Sequence, residues 1–266
     1  MSAFASPTPP ASSPVTLTPE ELSACTQVAQ KLRVDGLQLN QLCPRCIAIT
    51  TINKKLRVDD AVDSYKTFMK AISDFSINSF SDIYANFSDF DTIISPRLIS
   101  YNVCGLDSLG RQIFWINGKN PVTVEEERDA VRAGWFWFCA IHSDNVSLRQ
   151  GVTFVIDVSS STEKIGNEKK MQKTWQSYPL RPQRILIMGA GYLKRLFING
   201  LVSFAALFSK NKVLDRIRFA TVEEVTKECG ATNVPSYISG VGVGKEGDVA
   251  AWVKMRFDNF PEPKLW

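Results

Sequence analysis

Apolar positions change their spacing near Pro96. Before about Phe90 they recur every three or four residues, as they do on helices that bury one face. Thr18, followed by Pro19, Glu20, Glu21 and Leu22, predicts a helix start with Thr18 as cap and acids in the first turn. Further on, Val58, Ala61, Val62, Tyr65, Phe68 and Met69 share one helical face. Residues 1–18 are rich in Ser, Pro and Ala, carry little apolar material, and read as a disordered leader.

After Pro96 the runs shorten and become strand-like. Leu98 to Val103 and Arg111 to Ile116 predict two strands, with Cys104 to Gly110 as the turn between them. A helix is expected from Val124 to Ile141, with capping-box spacing at Thr123 and Glu126 and bulk from Trp135, Trp137 and Phe138. Gly151 to Asp157 is almost continuously apolar, the signature of a strand buried on both faces. A charged helix over Glu163 to Trp175 leads to a strand at Arg184 to Met188. A long helix, Tyr192 to Phe208, then leads to a short strand at Arg216 to Ala220. Strands alternating with helices predict a mostly parallel sheet covered by helices. The expected layout is a leader (1–18), a small helical subdomain (19–92), an α/β domain (93–240) and a Gly-rich, then polar tail (241–266). That tail either packs back on the domain or leads into a linker.

Composition narrows the function classes. Of 266 residues, 44% are hydrophobic and 22% charged, with 16 Phe and 6 Trp, which describes a globular protein. The six cysteines are spread too thinly for a disulfide scaffold and are expected to be reduced. No secretory signal and no apolar run of membrane-spanning length is apparent, so a cytoplasmic location with transient membrane association is expected. The formal charge of +4 matters only where it clusters. Arg181, Arg184, Lys194, Arg195, Lys210, Lys212, Arg216 and Arg218 are such a cluster, offset locally by Asp215 alone. It suits an anionic membrane, and no stacking motif supports nucleic acid as partner.

The motifs for chemistry fail one by one. Gly189-Ala190-Gly191 follows a strand as a dinucleotide fingerprint would, but Lys194 stands where the third glycine is required. In Gly240-Val241-Gly242-Val243-Gly244-Lys245, Glu246 replaces the metal-binding hydroxyl of a phosphate loop. Cys43-Pro44-Arg45-Cys46 has redox spacing without the strand before it, and reads as helix or core cysteine. The sole histidine, His142, has no nucleophile elbow beside it. No catalytic residue, metal or cofactor is therefore expected.

An ordered series of motifs remains. Lys54-Lys55-Leu56-Arg57-Val58-Asp59-Asp60-Ala61 is followed by Asp107 with Gly110-Arg111, and then by the strand Gly151 to Asp157. Tyr178-Pro179-Leu180-Arg181, the strand Arg184 to Met188, Phe197, Val202 and Phe204 come next, then Lys212, Arg216-Ile217 and Val234-Pro235 with Gly240. In order and spacing the series resembles the CRAL-TRIO lipid-binding family over roughly residues 25–240. Leu180 stands where the yeast phosphatidylinositol-transfer branch has a glutamate, and in this the chain is similar to the alpha-tocopherol transfer protein branch.

The resemblance implies a CRAL-TRIO fold with a hydrophobic pocket, holding a hydrophobic small molecule or a phospholipid. Ile113, Trp115, Phe136, Val152, Phe154, Ile156 and Leu180 would line it, and Leu193, Phe197, Leu201 and Phe204 would close over the ligand. Arg181, Arg184, Lys212 and Arg216 would meet anionic membrane lipid, phosphoinositides included. The expected function is to bind such a molecule and transfer or present it at anionic membranes. The alternative is a non-transporting, membrane-targeting or regulatory module of a larger protein.

Overall fold

The computed structural model describes residues 15–84, 101–117, 124–157, 170, 173–174, 177–189, 216–235, 237–238, 249–258 and 260–266. Helix α1 (Pro19–Val34) opens as the sequence predicts. Thr18 Oγ1 accepts from Glu21 N, and the Glu21 carboxylate accepts from Thr18 N. The end of the expected leader is held in place: Val15 is buried in the core, and Arg149 donates to the Thr16 carbonyl. Helices α2 (Pro44–Asn53) and α3 (Val58–Ser73) pack with α1, and α3 buries Ala61, Val62, Tyr65, Phe68 and Met69 from the predicted face. A short helix, α4 (Phe80–Tyr84), completes the described helical block.

The sheet among the described residues has five strands in sequential order: β1 (Tyr101–Leu106), β2 (Gln112–Asn117), β3 (Val152–Asp157), β4 (Pro182–Met188) and β5 (Ile217–Phe219). β1 and β2 form an antiparallel hairpin, and β2 to β5 run parallel. Cys104 to Leu106 are strand rather than turn. A bulge between Val103 and Leu106, with Gly105 at a φ of +98°, carries the strand further than expected.

Between β2 and β3 lie α5 (Glu127–Ile141) and α6 (Asn145–Gln150). Thr123, the expected cap of α5, lies outside the described residues, and Glu126 stands at the helix start without a side-chain cap. After β5 come α7 (Val222–Cys229), opened by a Thr221–Glu224 capping box, and α8 (Val249–Asp258). Of the two alternatives for the tail, packing back is what is seen, in the form of a helix the sequence reading did not place: Trp252, Val253 and Phe257 of α8, with Phe260 and Leu265 after it, are buried in the main core. The expected helices over 163–175 and 192–208 lie wholly or mostly outside the described residues.

Strand alternation gives the sheet two apolar faces. Phe114, Phe154, Ile185 and Ile187 belong to the large core with α5, α8 and the helical block. Ile113, Trp115, Val155, Leu186 and Met188 face the other way, into a small core closed by Val225, Cys229 and Val234.

Candidate functional site

The register of β2 on β3 decides which expected pocket residues meet. Phe114 lies opposite Phe154, so both side chains project to the same face, with ring centroids 5.9 Å apart. Trp137 of α5 packs edge-on against Phe114 at 5.0 Å, and Trp252 of α8 does so at 5.9 Å. Phe136 lies in the same core, edge-on to Trp135 at 4.9 Å and 5.5 Å from Phe257. Val152, Phe154 and Phe136 thus belong to one core, Phe154 packing on Phe114 and Trp137 and Phe136 on Trp135 and Phe257. Ile156 and Leu180 sit at the margin of this core, partly buried. Towards β5 the face becomes more open: Ile217 is partly buried and Phe219 is 51% exposed.

Ile113 and Trp115 are on the opposite face. They are fully buried, and Trp115 Nε1 donates to the Asn233 carbonyl at 3.1 Å. The seven described pocket candidates therefore divide into two groups separated by the sheet. Leu193, Phe197, Leu201, Phe204 and Lys212 lie outside the described residues.

The basic cluster divides as well. Arg184 pairs with Glu228 of α7, and the same carboxylate receives Arg218. Arg181 and Arg216 stand at the starts of β4 and β5. Arg181 donates to the Arg149 carbonyl and Arg216 Nη1 to the Pro182 carbonyl, the latter at 2.6 Å. Neither guanidinium reaches a carboxylate among the described residues. Partial burial and the neighbouring Arg216 charge lower the pKa of Arg181 from its ordinary value. Two neighbouring cations that reach no carboxylate among the described residues favour an anion nearby.

Polar groups also pin the helical block to the sheet layer. His142, which ends α5, is fully buried between Phe138 and Asn53: Nδ1 lies 2.9 Å from the Phe138 carbonyl and Nε2 3.3 Å from Asn53 Nδ2. With Asn53 Nδ2 and a carbonyl as partners, the ring fits the neutral Nδ1–H tautomer. Burial pushes its pKa down to about 4, reinforced by Arg256 and opposed by the Phe138 carbonyl and Asp144. Asn53 Nδ2 donates in turn to the Pro179 carbonyl at 2.6 Å. This is a structural histidine.

The cysteine pair is equally inert. Cys43 Sγ caps α2 by accepting from Cys46 N, while Cys46 Sγ accepts from Trp135 Nε1 at 3.0 Å. Burial raises both thiols well above their usual pKa, away from the reactive thiolate. Among the described residues no group of three or more His, Cys, Asp or Glu could hold a metal ion, and no helix is long and apolar enough to cross a membrane.

Two arrangements were not anticipated. Arg45 is buried against the Phe257 ring at 3.6 Å and donates from Nε to the Phe260 carbonyl at 2.8 Å, tying α2 to the C-terminal segment. Arg256 makes a buried pair with Asp144. Both depend on side chains more than a hundred residues apart, which no local pattern signals. In the Asp107–Arg111 turn, Arg111 Nε donates to the Asp107 carboxylate at 2.8 Å and Thr153 Oγ1 does so at 2.9 Å. Burial opposes ionisation of Asp107, but these bonds and those from backbone amides hold its pKa below the ordinary carboxylate value.

No model of a known protein family matches the chain, and no curated protein matches it.

Proposed function

We propose that this protein has the CRAL-TRIO architecture, binds one hydrophobic small molecule or lipid internally, and transfers or presents it at anionic membranes. One observation carries this reading. A single sheet face is apolar from β2 to β5, passing from buried Phe114 and Phe154 to partly exposed Ile156, Ile217 and Phe219, and at the starts of β4 and β5 stand Arg181 and Arg216, whose guanidiniums reach no carboxylate among the described residues. An apolar sheet face with such arginines at its strand starts suits a lipid in an anionic headgroup environment, and each buried ligand CH₂ contributes about 0.8 kcal/mol. In this reading Val152, Phe154, Ile156, Phe136 and Leu180 form the ligand side of the sheet. The apolar segment carrying Leu193, Phe197, Leu201 and Phe204 is assigned to the cover. The protein acts by binding, without a catalytic step.

The filling of the β2–β3 part of this face by Trp137 and Trp252 favours a second reading, a non-transporting module that targets a larger protein to a membrane. Transfer of a fluorescent lipid between vesicles separates the two. The carrier reading expects wild-type transfer to accelerate with anionic acceptor vesicles, and the Arg181→Ala/Arg216→Ala variant to lose that acceleration while still loading lipid. Retention of one lipid without exchange supports the module. Transfer indifferent to acceptor charge and to both substitutions contradicts the membrane role of these arginines.

A further inference from the structure

Resting on the membrane reading above, we propose that the β1–β2 hairpin tip is an apolar finger that enters the same anionic bilayer, with Leu109 as its inserting side chain. Hairpin tips are usually polar, because their backbone faces water and their side chains have nothing to pack on. This one displays Leu109 at 58% exposure, with Leu106 beside it at 39%.

The tip is rigid. The Asp107 carboxylate, itself almost fully buried, accepts from Leu109 N at 2.9 Å, Arg111 N at 3.0 Å, Arg111 Nε at 2.8 Å and Thr153 Oγ1 at 2.9 Å. Gly110 supplies the positive φ that closes the turn. A buried, fully bonded carboxylate thus holds the backbone that presents a leucine to solvent, and a turn ordered in advance loses little backbone entropy on docking.

The surroundings select the partner. The tip opens β2, and two strands across, at the same end of the sheet, β4 begins beside Arg181; Arg216 follows at the start of β5. Neighbouring strands lie about 4.8 Å apart, so Arg181 is about 10 Å from the β2 start. Near this end Asp107 is neutralised by Arg111, and the single Glu228 carboxylate serves both Arg184 and Arg218. Among the described residues this end of the sheet is cationic around an exposed leucine pair, which complements a bilayer of anionic headgroups over an apolar interior.

The experiment uses the full chain and phosphatidylcholine vesicles with and without phosphatidylserine, read by co-sedimentation. Leu109→Ser is expected to weaken binding to the anionic vesicles about tenfold, the scale of one leucine side chain withdrawn from water. Its unfolding midpoint should be unchanged, because Leu109 is exposed. A nitrobenzoxadiazole label on Leu109→Cys should shift to the blue on anionic vesicles and stay unshifted on phosphatidylcholine alone. Wild-type-like binding by Leu109→Ser, with Arg181→Ala/Arg216→Ala still defective, overturns the finger and leaves the membrane reading standing. Failure of the wild type to bind either vesicle overturns both. A wild-type dimer that Leu109→Ser converts to monomer identifies the tip as a self-interface and also overturns the finger.

Discussion

The two faces of the sheet are built on different scales. One carries Phe114, Phe154, Ile185 and Ile187 into a core shared with α5, α8 and the four N-terminal helices α1 to α4, rich in edge-on aromatic pairs. The other, among the described residues, is a smaller core in which Ile113, Trp115, Val155 and Leu186 meet α7 and the short turn after it. The difference places the weight of the fold on the first face. Any ligand held there lies beside the elements that hold the molecule together, so loading and stability should be coupled.

The largest effects are expected from truncation at the centre of each face. Phe114→Ala should cost about 4 kcal/mol in chemical denaturation, since it removes a ring packed by Phe154, Trp137 and Trp252. An equal loss from Val225→Ala on the second face would contradict the asymmetry, because about 2 kcal/mol is expected there.

Next in size is a pH effect at the seam between the helical block and the first face. His142 has a folded pKa of about 4 against an ordinary 6.5, so between these values the unfolded chain binds the extra proton. Stability should fall as pH drops from about 6.5 to about 4, by on the order of 3 kcal/mol in all, and His142→Gln should flatten that slope. Asp107 acts in a separate window. Its folded pKa is depressed, so its contribution is present above its unfolded value of 3.8 and is lost as pH falls through the lower folded one. The smallest effect belongs to Glu228→Gln, which releases two partly exposed arginines on the second face. It should cost no more than about 1 kcal/mol, and less as salt is raised.

These expectations also mark what was legible in the sequence. The α1 start was readable because Thr18 and Glu21 act within one turn, and the α3 face because its spacing is local. The α/β class followed from alternation of element types. Parity along β3 correctly groups Val152, Phe154 and Ile156, but parity within one strand says nothing about its neighbour. Only the pairing of Phe114 with Phe154 reveals that Ile113 and Trp115 point away. Helix α8 was hidden because a Gly-rich stretch precedes it and its apolar residues follow no clean stripe, while Arg45 and Asp144 hold it from distant parts of the chain. The basic cluster was visible as composition. Its division, among the described residues, into Arg184, paired with Glu228, and Arg181 and Arg216, bonded only to backbone carbonyls, depends on the placement of Glu228.

Whether the protein holds a lipid is read by native mass spectrometry of the full chain purified without detergent, followed by lipid extraction and identification. A species of the chain plus one hydrophobic molecule, released on denaturation, is the predicted result. A population consisting only of the bare chain, with nothing extractable and no lipid taken up from vesicles, would contradict it.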